Sequence, residues 1–116
     1  MKSYTDIEQS RKLAEILPLK SADMDYIPVV NIDGEYSINV NIWNNDHIIE
    51  EGWLPCWSLT ALLEVLPKII KHETLFIETS AVLWHIGYRN IYIARADNLV
   101  DACYEMILKL HELNLL

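Results

Sequence analysis

Glycine is scarce in this chain, which excludes several kinds of nucleotide-binding site. The 116 residues include three glycines, Gly34, Gly52 and Gly87. Phosphate-binding loops and dinucleotide-binding turns need closely spaced glycines, because glycine lets the backbone come close to a phosphate. The sequence has no such pattern, and it also lacks the spacing of zinc ligands. We therefore expect no nucleotide-dependent activity, no bound cofactor and no metal site.

Basic residues are also few, which bears on the partners that the chain can take. Nine Lys and Arg residues stand against 17 Asp and Glu residues, for a net charge of -8. Affinity for phosphate backbones is built from clustered Lys and Arg, and the sequence has no basic stripe. We expect no direct binding to nucleic acid. The acidic surface favours either simple solubility or a partner with a basic patch.

Cysteines and long apolar runs are limited as well. Cys56 and Cys103 lie among apolar neighbours, as free thiols in a reducing compartment do. No stretch reaches the roughly 18 apolar residues of a membrane span, and the N-terminus has no apolar signal core. We therefore expect a cytoplasmic protein that does not contact a membrane. With 52% hydrophobic residues, the chain 1–116 fits a single globular domain.

Three helices are predicted, and the central one organises the rest. Ser58 can cap a leucine-rich segment that Pro67 ends, and the leucines recur at helical spacing. An earlier helix is predicted to begin at a capping box over residues 5–8 and to end at Pro18. The last helix follows Asn98, and we expect it to pack on the domain's own sheet.

Strands fill the two intervals between the helices. Asp33-Gly34 predicts a hairpin that pairs Pro28 with Asn39, and Pro28 favours a sheet edge for the first strand. Residues 75–78, 81–88 and 91–95 predict three antiparallel strands. Two-residue turns between them would pair Ile77 with Val82 and Ile86 with Ile93. Residues 68–73 fit a helical turn or a strand equally well.

The resulting order is α-ββ-α-βββ-α, which predicts an α+β domain with an antiparallel or mixed sheet packed by three helices. The strand order stays open, as does the choice between one sheet and two.

The connector before the central helix is the leading candidate for a binding surface. Residues 44–57 form a long loop in this reading, and Trp43, Trp53, Glu50 and Glu51 lie in or beside it. Aromatic side chains next to acids are typical of interface anchors. The alternative is that both tryptophans cover the small core.

Cys56 and His85 give a second, chemical candidate. Cys56 lies just ahead of a predicted helix, where the helix dipole would lower a thiol pKa, and His85 lies on a later strand. This order resembles papain-like cysteine hydrolases, in which Asn90 or Asp97 would orient the histidine. A buried cysteine and a strand histidine are also common structural residues.

Several short segments carry a further resemblance. Residues 4–10, 55–59, 66–67, 97–103 and 112–113 resemble a family of small uncharacterised proteins from phages and mobile elements of gut Bacteroides. The resemblance implies a bacterial or phage-encoded accessory protein of the cytoplasm, and it supplies no active residues.

These observations favour a non-enzymatic interaction protein that binds a basic patch on an unknown host protein, for example as an inhibitor. The first alternative is a cysteine hydrolase that uses Cys56 and His85. The second is a self-associating unit, a homodimer that pairs its first strand or its terminal helix.

Overall fold

The computed structural model describes residues 2–28, 36–39 and 52–116, and these form an α+β fold in the expected order. The helices and strands have these bounds: α1 Ile7–Ile16, β1 Met24–Pro28, β2 Tyr36–Asn39, β3 Leu54–Cys56, α2 Leu59–Val65, β4 Ile69–Ile70, β5 Glu73–Thr74, β6 Phe76–Thr79, β7 Trp84–Tyr88, β8 Tyr92–Ala96 and α3 Leu99–Glu112. A short 3-10 helix, Leu19–Ser21, precedes β1.

The strands of the described residues make three small antiparallel sheets. Their orders are β2-β1-β3, β4-β5 and β6-β7-β8. The β4-β5 hairpin accounts for the ambiguous residues 68–73, which are strand on both sides of a two-residue turn. Among the described helices, none is long and apolar enough to cross a membrane.

The central helix α2 begins and ends where the sequence predicts. The Ser58 side chain accepts a hydrogen bond from the Ala61 amide, and the helix ends before Leu66 and Pro67. Asp23 holds the Ser58 backbone amide at 2.9 Å and also accepts from its hydroxyl. The main helical neighbour of α2 is α3, and Leu62 of α2 is fully buried in the core.

Helix α1 starts one residue later than expected. Its capping box is formed by Asp6 and Gln9, while Thr5 is fully buried. The Thr5 hydroxyl is 2.8 Å from the Ser10 hydroxyl and accepts from the Trp57 amide at 3.2 Å. Because these contacts hold the segment before Asp6 extended, Thr5 is unable to act as the cap.

The predicted register and edge position of β1 are both wrong. Pro28 pairs with Tyr36 and not with Asn39, and β1 is the central strand of its sheet. β3, which lies in the predicted loop, pairs with residues 24–26 only. Pro28 is tolerated because it is the last residue of β1, beyond the end of β3.

The pairing of β6, β7 and β8 also differs from the prediction. Ile86 pairs with Ile77 on one side and with Ala94 on the other. The connection between β6 and β7 and the connection between β7 and β8 are both longer than two residues. Asn90 has a φ of 64° in the turn before β8. The extra residue in this turn puts Tyr92, in place of Ile93, on the same face as Ile86.

Helix α3 covers one face of this sheet, as predicted. Asn98 caps it by accepting from the Asp101 amide at 2.9 Å. Ile86 and Ala94 on the sheet are buried beneath it. The helix contributes these fully buried residues: Val100, Ala102, Cys103, Met106, Ile107 and Leu110.

Candidate functional site

Trp53 is the one member of the predicted connector site that the structure describes. It is half-buried and lies between Gly52, whose φ is 85°, and the start of β3. Trp43, Glu50 and Glu51 lie outside the described residues. The predicted cluster of two tryptophans and two glutamates therefore stays a prediction.

Cys56 is a buried core residue at the end of β3. Its side chain is fully buried, and the thiol donates to the Thr5 carbonyl at 3.4 Å. Burial raises the pKa of Cys56, and hydrogen bonds with Thr5, Ser10 and Tyr26 offset this only in part. The expectation that a helix N-terminus lowers the pKa of this thiol is therefore wrong.

His85 lies in a different sheet from Cys56 and has its own local partner. Its Nε2 atom is 3.1 Å from the Ser80 hydroxyl. Of the two candidate orienting groups, Asn90 donates to Glu73 at 3.0 Å, and Asp97 is exposed just after β8. Among the described contacts, none brings His85, Asn90 or Asp97 to Cys56.

A network of polar side chains joins the N-terminal segment to the start of α3. The Lys2 ammonium is 2.8 Å from Asp101 and 3.1 Å from Asp6. The Gln9 amide and the Asn98 amide each donate to the Asp101 carboxylate at 2.8 Å. Asp101 therefore receives hydrogen bonds from three segments and fixes α1 against α3.

The charges of this network shift both pKa values in the direction expected for an ion pair. Partial burial alone would raise the pKa of Asp101, but hydrogen bonds from Lys2, Gln9 and Asn98 lower it below its usual value. Partial burial would lower the pKa of Lys2, whereas Asp101 and Asp6 raise it. Asp101 is held ionised in the folded protein.

A groove with a volume of about 520 Å³ runs beside this network. Its lining residues are Gln9, Leu83, Tyr92, Ala94, Arg95, Ala96, Asp97, Asp101 and Glu105. Residues 94–97 are consecutive, and neighbouring side chains of a strand point to opposite faces. The groove therefore runs along the edge of β8 on the side of α3, since Tyr92, Ala94 and Ala96 share the sheet face that α3 covers.

This edge of β8 has no partner strand among the described residues. β8 pairs with β7 on one side and is the last strand of its sheet. Alternate backbone N–H and C=O groups of an edge strand point away from the sheet and can pair with another chain. The groove thus combines backbone hydrogen-bonding groups with side chains.

Acidic side chains dominate the helical wall of the groove. Asp97 and Glu105 are exposed, and Asp101 is half-buried between them. The strand wall also carries one basic side chain, Arg95, which is exposed. The helical wall, being acidic, favours a cationic ligand.

Sequence reasoning missed this groove, although one signal was present. Asp101 and Glu105 are four residues apart on α3, and like charges at that spacing destabilise a helix. Such a pair is a reason to look for a binding role. The contributions of α1 and β8 depend on tertiary contacts that no local pattern indicates.

No metal centre is found in the part of the chain that the structure describes. There, no group of three His, Cys, Asp or Glu side chains is arranged to hold an ion. Comparison with protein-family models, with curated protein sequences and with solved structures gives no match.

Proposed function

We propose that this protein acts by binding another protein, and that the groove beside β8 receives an extended basic segment of that partner. The observation that carries the proposal is the edge of β8, which no strand of the described segments pairs with, next to an acidic wall formed by Asp97, Asp101 and Glu105. A strand added to a sheet edge gains affinity from main-chain hydrogen bonds and specificity from alternate side chains.

The two walls of the groove differ in chemistry, which defines the kind of segment that fits. On the side of α3, Asp97 and Glu105 would meet Lys or Arg side chains. On the other side of the added strand, Ile93 and Arg95 lie on the sheet face opposite α3, so apolar side chains suit that side better than basic ones. Side chains of an extended segment alternate between its two faces. A segment that alternates basic and apolar residues therefore satisfies both walls.

Asp101 makes the acidic wall rigid before any partner binds. Its carboxylate is already oriented by Lys2, Gln9 and Asn98, so little side-chain entropy is lost when a cation approaches. Lys2 is partly exposed and neutralises part of this charge. The cationic partner is therefore drawn mainly to Asp97 and Glu105.

The biological setting of this proposal comes from the family resemblance. A phage-encoded or mobile-element accessory protein of a bacterial cytoplasm would bind a host protein, and covering a functional basic segment would inhibit that host protein. The acidic net charge of -8 would speed its association with such a segment.

A labelled peptide of alternating lysine and valine tests the groove by fluorescence anisotropy. We expect binding that weakens with added salt, and none for a peptide of alternating glutamate and valine. The double substitution Asp97→Asn with Glu105→Gln should weaken binding by about tenfold, because two partly solvated ion pairs are lost. Glu64→Gln, which changes an exposed acid on α2, is the matched control.

The same peptide with N-methyl groups on alternate residues tests the backbone pairing. Methylation of the N–H groups that face β8 should abolish binding, and methylation of the opposite set should not. Equal loss with both sets, or no effect of the groove substitutions, would contradict strand addition at β8.

A further inference from the structure

The face of the β6-β7-β8 sheet that points away from α3 has an unusual arrangement of side chains. Ile86 and Ala94 are buried under α3, so the neighbouring positions along each strand point to the opposite face. The register places two rows across that face. One row is Glu78, His85 and Arg95, and the other is Phe76, Gly87 and Ile93.

This outer face is apolar in one row and charged in the other. Phe76 and Ile93 are half-exposed and belong to neither core cluster of the described residues. The Arg89 guanidinium lies over the Phe76 ring at 4.6 Å from its centre. Glu78 and Arg95 are exposed at the two ends of the charged row.

The order within each row makes the face self-complementary under two-fold symmetry. The two-fold axis runs parallel to β7, midway between the two facing sheets. It places β8 of one copy over β6 of the other, at the same level along the strands. Arg95 then faces Glu78 of the second copy, and Ile93 faces its Phe76. Each of these contacts occurs twice, as an isologous interface requires.

The centre of the face is flat in the apolar row. Gly87 lies there on the axis and adds no side chain, and the residue itself is already buried within one chain. Glycine is required there for another reason, because an added Cβ atom would come within 2.2 Å of the Tyr92 carbonyl oxygen. Aligned sheets cross at about 30°, which displaces the outer strands by only about 2 to 3 Å.

We propose that a second copy of this chain docks on the outer face of the β6-β7-β8 sheet, through Glu78–Arg95 pairs that flank Phe76–Ile93 contacts. This surface differs from the first strand and the terminal helix, which sequence reasoning favours for self-association. The face spans three short strands and covers less than the roughly 800 Å² per partner of a standard interface. The dimer is therefore weak, with dissociation in the micromolar range or above.

Charge reversal tests the proposal by sedimentation velocity over a wide concentration range. Glu78→Arg alone and Arg95→Glu alone should each weaken dimerisation by at least about tenfold, since each creates two like-charge pairs per dimer. An equal mixture of these two variants should form a heterodimer, because the introduced charges are then opposite across the axis. Glu64→Arg, at an exposed position on α2, should behave like the wild type.

Circular dichroism would establish that each variant is folded, and the double variant with both reversals should dimerise as the wild type does. A wild type that is monomeric at all concentrations would overturn the proposal. A dimer that both single variants leave intact would also overturn it, because association would then use another surface. Glu78 does not line the β8 groove, so Glu78→Arg separates this test from that of peptide binding.

Discussion

Cys56 lies in the smaller of the two core clusters, where Met24, Tyr26 and Cys56 are buried together. The helix that follows begins at Leu59, three residues further along the chain. Removal from water disfavours a thiolate by more than the local hydrogen bonds favour it, because the side chain is fully buried. The residue therefore functions in packing.

Thiol alkylation tests this interpretation of Cys56. We expect both cysteines to react with iodoacetamide at least about a hundredfold more slowly in the folded protein than after unfolding, because each is fully buried. Burial raises the pKa of Cys103 to about 12. Cys103→Ala and Cys56→Ala separate the two sites by mass spectrometry. Rapid labelling of Cys56 near neutral pH, lost with His85→Ala, would instead support the hydrolase alternative.

Among the elements, the β4-β5 hairpin contains the clearest departure from favoured turn chemistry. Ile70 pairs with Glu73, so the loop consists of Lys71 and His72, which have φ values of 49° and 70°. A two-residue turn with positive φ at both positions strongly prefers Asn followed by Gly. Lys and His adopt this conformation here at a cost in backbone energy.

Replacing this pair by the preferred residues should stabilise the protein. We expect Lys71→Asn with His72→Gly to raise the free energy of unfolding by about 1 kcal/mol, since left-handed backbone costs most residues about that much. Urea titration measures the change. Lys68→Asn, at an exposed position before the hairpin, controls for the loss of a positive charge. A decrease in stability would mean that the Lys71 or His72 side chain makes a stabilising contact.

Helix ends were predictable from the sequence because capping acts over a few residues. Ser58, Asn98 and Pro67 all define ends as expected. Strand register was not predictable in the same way. The turn before β8 contains one residue more than expected, with Asn90 in the left-handed region, and this one residue reverses the faces of Tyr92 and Ile93. The outer sheet face could only be identified once that register was known.

The β8 groove illustrates the same limit for the candidate site. Its walls come from α1, β8 and α3, which are brought together by contacts between residues about ninety positions apart, such as Gln9 with Asp101. The acidic character of the surface followed from composition, whereas its location did not. The predicted connector site drew attention to Trp53, which is only half-buried but forms no described contact with the groove.

At the scale of the whole molecule, two core clusters are linked through the N-terminal segment. The larger cluster joins α1, α2, α3 and the β6-β7-β8 sheet, and the smaller one lies between the start of α1 and the β1-containing sheet. Residues 3–5 hydrogen-bond to residues 57–59, with Thr5 N donating to Trp57 O and Leu59 N to Ser3 O, both at 3.0 Å. Lys2 then reaches Asp101 on the opposite side. We call residues 2–5 the N-terminal strap, and we infer that these contacts make the two clusters unfold together.

The contact between the N-terminal strap and Asp101 should make the free energy of unfolding depend on pH. Folding lowers the pKa of Asp101, so its stabilising contribution is complete above the unfolded pKa of about 4 and is lost as the pH falls through the lower pKa of the folded state. The raised pKa of Lys2 means that its contribution is lost only as the pH rises above about 10.

Asp101→Asn should therefore lower the free energy of unfolding by about 1 kcal/mol at neutral pH, a value that allows for partial exposure. At a pH below the lowered pKa of folded Asp101 the difference should approach zero. Glu112→Gln removes a more exposed ion pair with Lys109 and should have a smaller effect at every pH, while a difference at Asp101 that persists in acid would exclude the ion pair as its cause.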